Sequence, residues 1–165
     1  MQRLVEPLAV DCAGLSDRAF ATLSSGERQR VGLARAIAQI VDGPPGADAT
    51  ADPGARFLLL DEPTSSLDPA HQHMAMRLLR DLARGGCGVL VVLHDLNLAA
   101  AYADRLVLLS AGRVAAAEAV AKVLRADVLE PVFGMPMLVI THPSLAYLVV
   151  VADPAGRGEP GRGDG

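Results

Sequence analysis

Two unbroken apolar runs with one amphipathic stretch between them constrain this chain more than any other feature. Phe57–Leu60 ends at Asp61, and Val89–Leu93 ends at His94. Each run is too short for a helix and has the make-up of a strand buried on both faces of a parallel sheet. Between them Pro69 opens a helical segment to about Ala83, with Met74, Leu78 and Leu82 on one stripe and Gly85-Gly86 as its stop. Strand, helix and strand in that order form a crossover unit, so the expected fold class is α/β, a mostly parallel sheet with flanking helices.

The bulk properties agree with such a fold. A length of 165 residues with 51% apolar content is enough for one domain with a sizeable core, and it excludes a mostly disordered chain. A net charge of −4 spreads 15 cations among 19 anions, which argues against a nucleic-acid partner. Cys12 and Cys87 stand far apart with no CxxC pairing, so neither a disulfide framework nor a zinc site is expected, and a reducing cytoplasm fits. No run reaches the ~18 apolar residues of a membrane span, and the start reads Gln-Arg-Leu-Val-Glu-Pro rather than a signal peptide. Membrane association is therefore expected only through a partner.

Around the crossover the sequence predicts further elements. Val31, Ala34, Ile37 and Val41 recur at helical spacing from Glu27 to Val41, with Ser24, Ser25 and Gly26 as candidate caps. Gly43–Gly54 reads as a surface loop. A short helix is expected over Asp95–Ala103, then a hairpin of Arg105–Leu109 and Arg113–Ala117 about an Ala-Gly turn. One helix over Val120–Val132 and strands at Met137–Ile140 and Leu148–Val151 follow, and the Gly- and Pro-rich residues 153–165 should form a disordered tail.

Asp61-Glu62 places two carboxylates at the carboxyl end of a strand, where open α/β sheets bind their ligands. In phosphoryl transfer such an aspartate holds Mg²⁺ and a neighbouring carboxylate deprotonates the attacking water. An apolar run ending in Asp-Glu is equally compatible with a strand that stops at a solvated turn. His94 taken alone is more often a structural strand-end histidine than a catalytic one.

The surrounding residues favour the chemical reading. LLLDEPTSSLD from Leu58 to Asp68 resembles the Walker B strand and D-loop of ABC-type ATPases, and LSSGERQRVGLARAIA from Leu23 to Ala38 resembles their signature and its helix. His94 falls at the place of the family's switch histidine. The resemblance implies a partial P-loop NTPase fold and an ATP- and Mg²⁺-dependent ATPase. It implies Glu62 as the general base, His94 as the γ-phosphate sensor and Asp61 as the Mg²⁺ ligand through water. It further implies that Ser24, Ser25, Gly26 and Glu27 form a signature closing over ATP held by a second subunit, with Asp68 at the dimer interface. Ser25 stands where the family usually has glycine, from which weakened closure is expected.

Nothing in the chain matches the phosphate-binding loop GxxxxGK[ST], and the only lysine is Lys122. In the family that loop, with its strand, lies well upstream of the signature, so the resemblance implies a cassette truncated at its amino terminus and missing the P-loop strand. The 165 residues alone are expected neither to bind nor to hydrolyse ATP, and an exposed sheet edge with apolar surface is expected. The resemblance assigns residues 1–118 to the cassette, 119–152 to a carboxyl-terminal helix and short strands, and 153–165 to the tail.

HDLNLAAAYADRLVLLSAGRV from His94 to Val114 is similar to ATPases that import ferric siderophores, haem and vitamin B12, and Leu67–Ala83 with Val132–Ser144 is most similar to haem importers. This implies transmembrane permease partners, a periplasmic haem or iron-chelate binding protein acting indirectly, and a peripheral place on the cytoplasmic face of the bacterial inner membrane. His71 and His73, two apart on a helix, point to different faces and make a poor chelate, so they and His142 are expected to be surface or interface residues. Met74 and Met76 are expected to pack the helix, and Arg28, Arg30 and Arg35 to lie on a solvated or subunit-facing surface. A non-catalytic partner of an intact ATPase, and a cassette acting on DNA or ribosomes, are the other classes such motifs allow.

Overall fold

A computed structural model of the chain describes residues 12–15, 17–42, 55–154 and 156. It divides into two compact units, Met1–His94 and Asp95–Gly165.

In the first unit a 3-10 turn at Phe20–Thr22 leads into helix α1, Ser25–Asp42. The buried face of α1 is built on Leu33 and Ile37, with Leu23 buried just ahead of the helix. Leu33 was missed by the expected stripe because the sequence carries two overlapping apolar rows, and the half-buried Val31 and Ala34 belong to the flank. Arg56 donates to the Ile40 carbonyl at 3.3 Å, placing a cation at the carboxyl end of α1. The expected loop over Gly43–Gly54 lies outside the described residues.

Strands β1, Phe57–Asp61, and β2, Gly88–Val92, pair in parallel with Leu59 opposite Leu90, and α2, Pro69–Arg84, crosses between them. Pro69 occupies the first turn of α2 with Asp68 as its N-cap, and Gly85 and Gly86 end it, Gly86 at φ 88°. The buried face of α2 is broad: Ala75, Met76, Leu78, Leu79 and Leu82 are all enclosed, whereas Met74 is half-buried. Helix α1 packs against β1 and α2 against β2.

Burial of these strands on both faces is not what the structure shows. Leu58 is buried and Leu60, Val89 and Val91 are half-buried, but Phe57, Leu59, Leu90 and Val92 on the opposite face are exposed. An apolar composition records what a strand can bury, while burial itself requires a covering layer. Among the described residues of this unit none covers that face, in keeping with the exposed apolar surface expected from sequence.

The second unit opens with α3, Leu96–Tyr102, capped by the Asp95 carboxylate on the amides of Asn97 (2.8 Å) and Leu98 (3.0 Å). A hairpin follows, β3 Arg105–Ser110 and β4 Arg113–Ala119. Its two-residue turn puts both Ala111 (φ 48°) and Gly112 (φ 72°) in the left-handed region, as a turn matched to strand twist requires. Ala111 pays for its Cβ there with about 1–2 kcal/mol.

The single helix expected over Val120–Val132 is two, α4 Val120–Val123 and α5 Ala126–Phe133. The chain is extended at Arg125 (φ −135°, ψ 144°), whose guanidinium grips Asp127 at 2.9 and 3.0 Å. The break has a packing reason: Val123, Leu124 and Leu129 are almost completely buried, and one straight helix would spread them around its circumference. Gly134, left-handed at φ 68°, ends α5.

Strands β5, Met137–Thr141, and β6, Leu148–Ala152, form an antiparallel pair. Ala100, Leu124, Leu129, Met137 and Val150 make the core of this unit, with Leu106, Leu108 and Val139 packed on it. Asn97 ties α3 to β6 by accepting from the Val150 amide (2.7 Å) and donating to the Val150 carbonyl (3.1 Å). Of the expected tail only 153, 154 and 156 are among the described residues. No helix among the described residues is long and apolar enough to cross a membrane.

Candidate functional site

β1 and β2 run in parallel with Asp61 opposite Val92, so residues just past their carboxyl ends emerge together. Nε2 of His94 lies 2.5 Å from Oε1 of Glu62. A carboxylate at this distance accepts, so the ring proton sits on Nε2. Both side chains stand open, 79% exposed for His94 and 41% for Glu62. Glu62 adopts φ 47°, a left-handed backbone rare for a residue with a Cβ, while its amide donates to the Val92 carbonyl at 3.1 Å.

The carbonyl of Glu62 is held as firmly as its carboxylate. It accepts from Nε2 of Gln29 at 2.6 Å, from Oγ of Ser65 at 3.2 Å and from the Ser65 amide at 3.3 Å. Asp61 is exposed at the strand end, and among the described residues no hydrogen bond or ion pair engages its carboxylate. An unengaged hard oxygen donor at a strand terminus suits Mg²⁺, which keeps most of its waters and takes one or two carboxylates. Asp61 fits that role.

The amino end of α1 is closed by a capping box. The Ser24 amide donates to Oε2 of Glu27 at 2.7 Å, and the Glu27 amide donates to Oγ of Ser24 at 3.2 Å. Arg18 neutralises the same carboxylate at 2.7 Å. Among the described residues the amides of Ser25 and Gly26 are left without a protein acceptor at this end of an 18-residue helix. Ser25 is helical and exposed, so its side chain meets no local obstacle. Glu27 is thus first a cap, a role the Ser-x-x-Glu spacing already signals.

Asp68 caps α2 through the His71 amide (3.0 Å) and holds the His71 ring at Nδ1 (2.6 Å). Nε2 of His71 lies 3.4 Å from Nη1 of Arg30, so Arg30 is half-buried against α2 rather than simply solvated, as Arg28 and Arg35 are. His142 is exposed, its Nδ1 accepting from the Ser144 amide. Cys87 is buried, and Met76 packs as expected.

Two carboxyls are held below their ordinary range: Glu27, chiefly by the Ser24 amide, and Asp68, chiefly by the His71 amide. Lowered folded-state values mean that both caps contribute at neutral pH and lose their contribution as pH falls below the free-carboxylate range of about 4. In an NMR titration the Ser24 and His71 amide resonances should move with midpoints below those of free peptide carboxyls. Midpoints at or above the free values would show that the caps do not form in solution.

The structure therefore brings Glu62 and His94 into contact, sets Asp61 beside them, and joins Gly26 and Gln29 of α1 to the turn that precedes Asp68. Two participants escaped the sequence reading. Arg18 pairs across nine residues with no local pattern to mark it. Gln29 lies one helical turn beyond Gly26, a spacing that marks a shared face.

No family model matches the chain. It is 48% identical over 153 residues to the hemin import ATP-binding protein of Pseudomonas aeruginosa, covering 92% of this chain and 56% of the relative. It is 46% identical over 141 residues to the one from Streptomyces coelicolor, covering 86% and 45%. Among solved structures, an ABC transporter of metal-chelate type in an inward-facing conformation superposes with a TM-score of 0.67 at 27% identity, over 91% of this chain and 56% of that one. A dimeric bacterial ABC transporter cassette gives 0.52 at 33% identity, over 72% and 46%.

With the motif order and fold above, these likenesses place the chain in the family of ABC-transporter ATP-binding subunits, with a partial P-loop NTPase fold. Within that family it is similar to hemin import ATP-binding proteins, and it spans about half the length of the curated relatives it matches.

Proposed function

We propose that this chain is the signature-to-switch portion of an ATP-hydrolysing subunit that energises haem import. The observation that carries the reading is the Glu62–His94 pair at the ends of β1 and β2. A carboxylate held by an imidazole, with its second oxygen open, is equipped to take a proton from water. His94 orients the base and is placed to sense a terminal phosphate. Mg²⁺, when bound at Asp61, would offset charge on the phosphates. Ser24 and the amides of Ser25 and Gly26 offer a phosphate clamp to the partner of a head-to-tail dimer, with Asp68 at the interface.

The proposed setting is the cytoplasmic face of a bacterial inner membrane, under permease subunits fed by a periplasmic binding protein. The 48% identity to hemin import proteins supports the haem assignment. The likeness to a transporter of metal-chelate type supports the broader alternative of an iron-chelate or cobalamin cargo.

No residue run here is GxxxxGK[ST], so the 165 residues alone should show no saturable ATP turnover. Fused behind the upstream portion of the Pseudomonas aeruginosa relative, they should hydrolyse ATP and restore haem-dependent growth to cells lacking that relative. A folded fusion without turnover overturns the ATPase reading and leaves that of a non-catalytic partner. Turnover with growth restored on another iron chelate but not on haem overturns the cargo.

A further inference from the structure

The side chain of Gln29 is used completely. Its Nε2 donates to the Glu62 carbonyl (2.6 Å) and to Oγ of Ser65 (3.2 Å), and its Oε1 accepts from the Ser66 amide (2.8 Å). One turn earlier on the same face, a Cβ at Gly26 would come within 2.8 Å of the Ser66 carbonyl oxygen. Glycine at 26 therefore lets the Ser66 peptide settle against α1, and Gln29 grips that peptide and the Glu62 carbonyl together.

Only a side chain that donates and accepts at once can do this. Glutamate would face the Glu62 carbonyl with a second acceptor, and leucine would leave the Ser66 amide without its acceptor and the Glu62 carbonyl with its Ser65 contacts alone. The held carbonyl belongs to a residue at φ 47°, a conformation that persists only when its surroundings fix it.

We propose that Gln29 is a positioning residue: it fastens the turn bearing Glu62 to the signature helix, so that the phosphate-clamping end of α1 and the base move as one body. The inference rests on the ATPase reading above. Movement of Ser24 and Gly26 onto a partner's phosphate is then passed to the backbone of Glu62 through one amide group, coupling closure at one site to the aim of the base at the other.

The test compares the fused cassette with its Gln29→Leu and Gln29→Glu variants. Gln29→Leu should lower kcat about 10–100-fold, as expected for a misplaced catalytic group, with KM for ATP changed less than about threefold. Gln29→Glu, which keeps an acceptor for the Ser66 amide, should fold even if Gln29→Leu does not, and should show the same split. Unchanged kcat, or kcat and KM worsening together with a lowered melting temperature, overturns the positioning role while the ATPase reading stands. An inactive parent fusion overturns that reading and this inference with it. A Ser66 amide resonance in the 165-residue chain that ignores Gln29→Leu shows separately that the grip is absent.

Discussion

Glu62→Gln in the fused cassette should lower ATP turnover by about 10²–10⁴-fold, the usual contribution of a positioned general base. The amide keeps an oxygen to accept from Nε2 of His94, and it leaves the backbone contacts with Val92, Gln29 and Ser65 in place. The loss would therefore reflect proton transfer rather than a disturbed turn. With hydrolysis blocked and both clamps intact, an ATP-bound dimer should accumulate and be visible by size-exclusion chromatography. Turnover within about threefold of the parent would remove Glu62 from the role of base and shift attention to His94.

Asn97→Leu should strongly destabilise the second unit. The Asn97 amide acts as a length of backbone, meeting both the N–H and the C=O of Val150 on β6. Leucine fits the volume but leaves two polar groups in a buried stretch without partners, each at a cost of about 1–3 kcal/mol. The expected loss is about 2–6 kcal/mol, a large fraction of a stability that totals about 5–15 kcal/mol in ordinary domains. Urea denaturation should show a lower midpoint with the slope retained, and an unchanged midpoint would mean that water replaces the asparagine without penalty.

The crossover was legible because its signals are local. Phe57–Asp61, Pro69–Arg84 and Gly88–Val92 lie within a residue or two of where composition and turn residues put them. The meeting of Glu62 with His94 was legible only through motif order, because parallel strands bring together residues that lie 32 apart in the chain.

What stayed hidden depends on neighbours in space. No local rule says which face of β1 is covered, and none breaks the apolar row at Leu124, where the core of the second unit takes Leu124 and Leu129 together. Gln29 in isolation reads as a polar residue on a helix, and its grip becomes visible only when the Ser65–Ser66 turn lies beside it.

The left-handed backbone at Glu62 means that position 62 answers to two independent filters. One is conformational: glycine, asparagine and aspartate pass easily, while valine, isoleucine and threonine are rejected by their branched Cβ whatever their chemistry. The other is the role of base proposed for its side chain, which asks for a carboxylate of the right reach. A variant library scored for folded protein and the same library scored for turnover would thus rank substitutions at 62 in different orders, with glycine near the top of the first and at the floor of the second. Glutamate holds the position despite its conformation, so its backbone geometry and its carboxylate can be dissected one at a time.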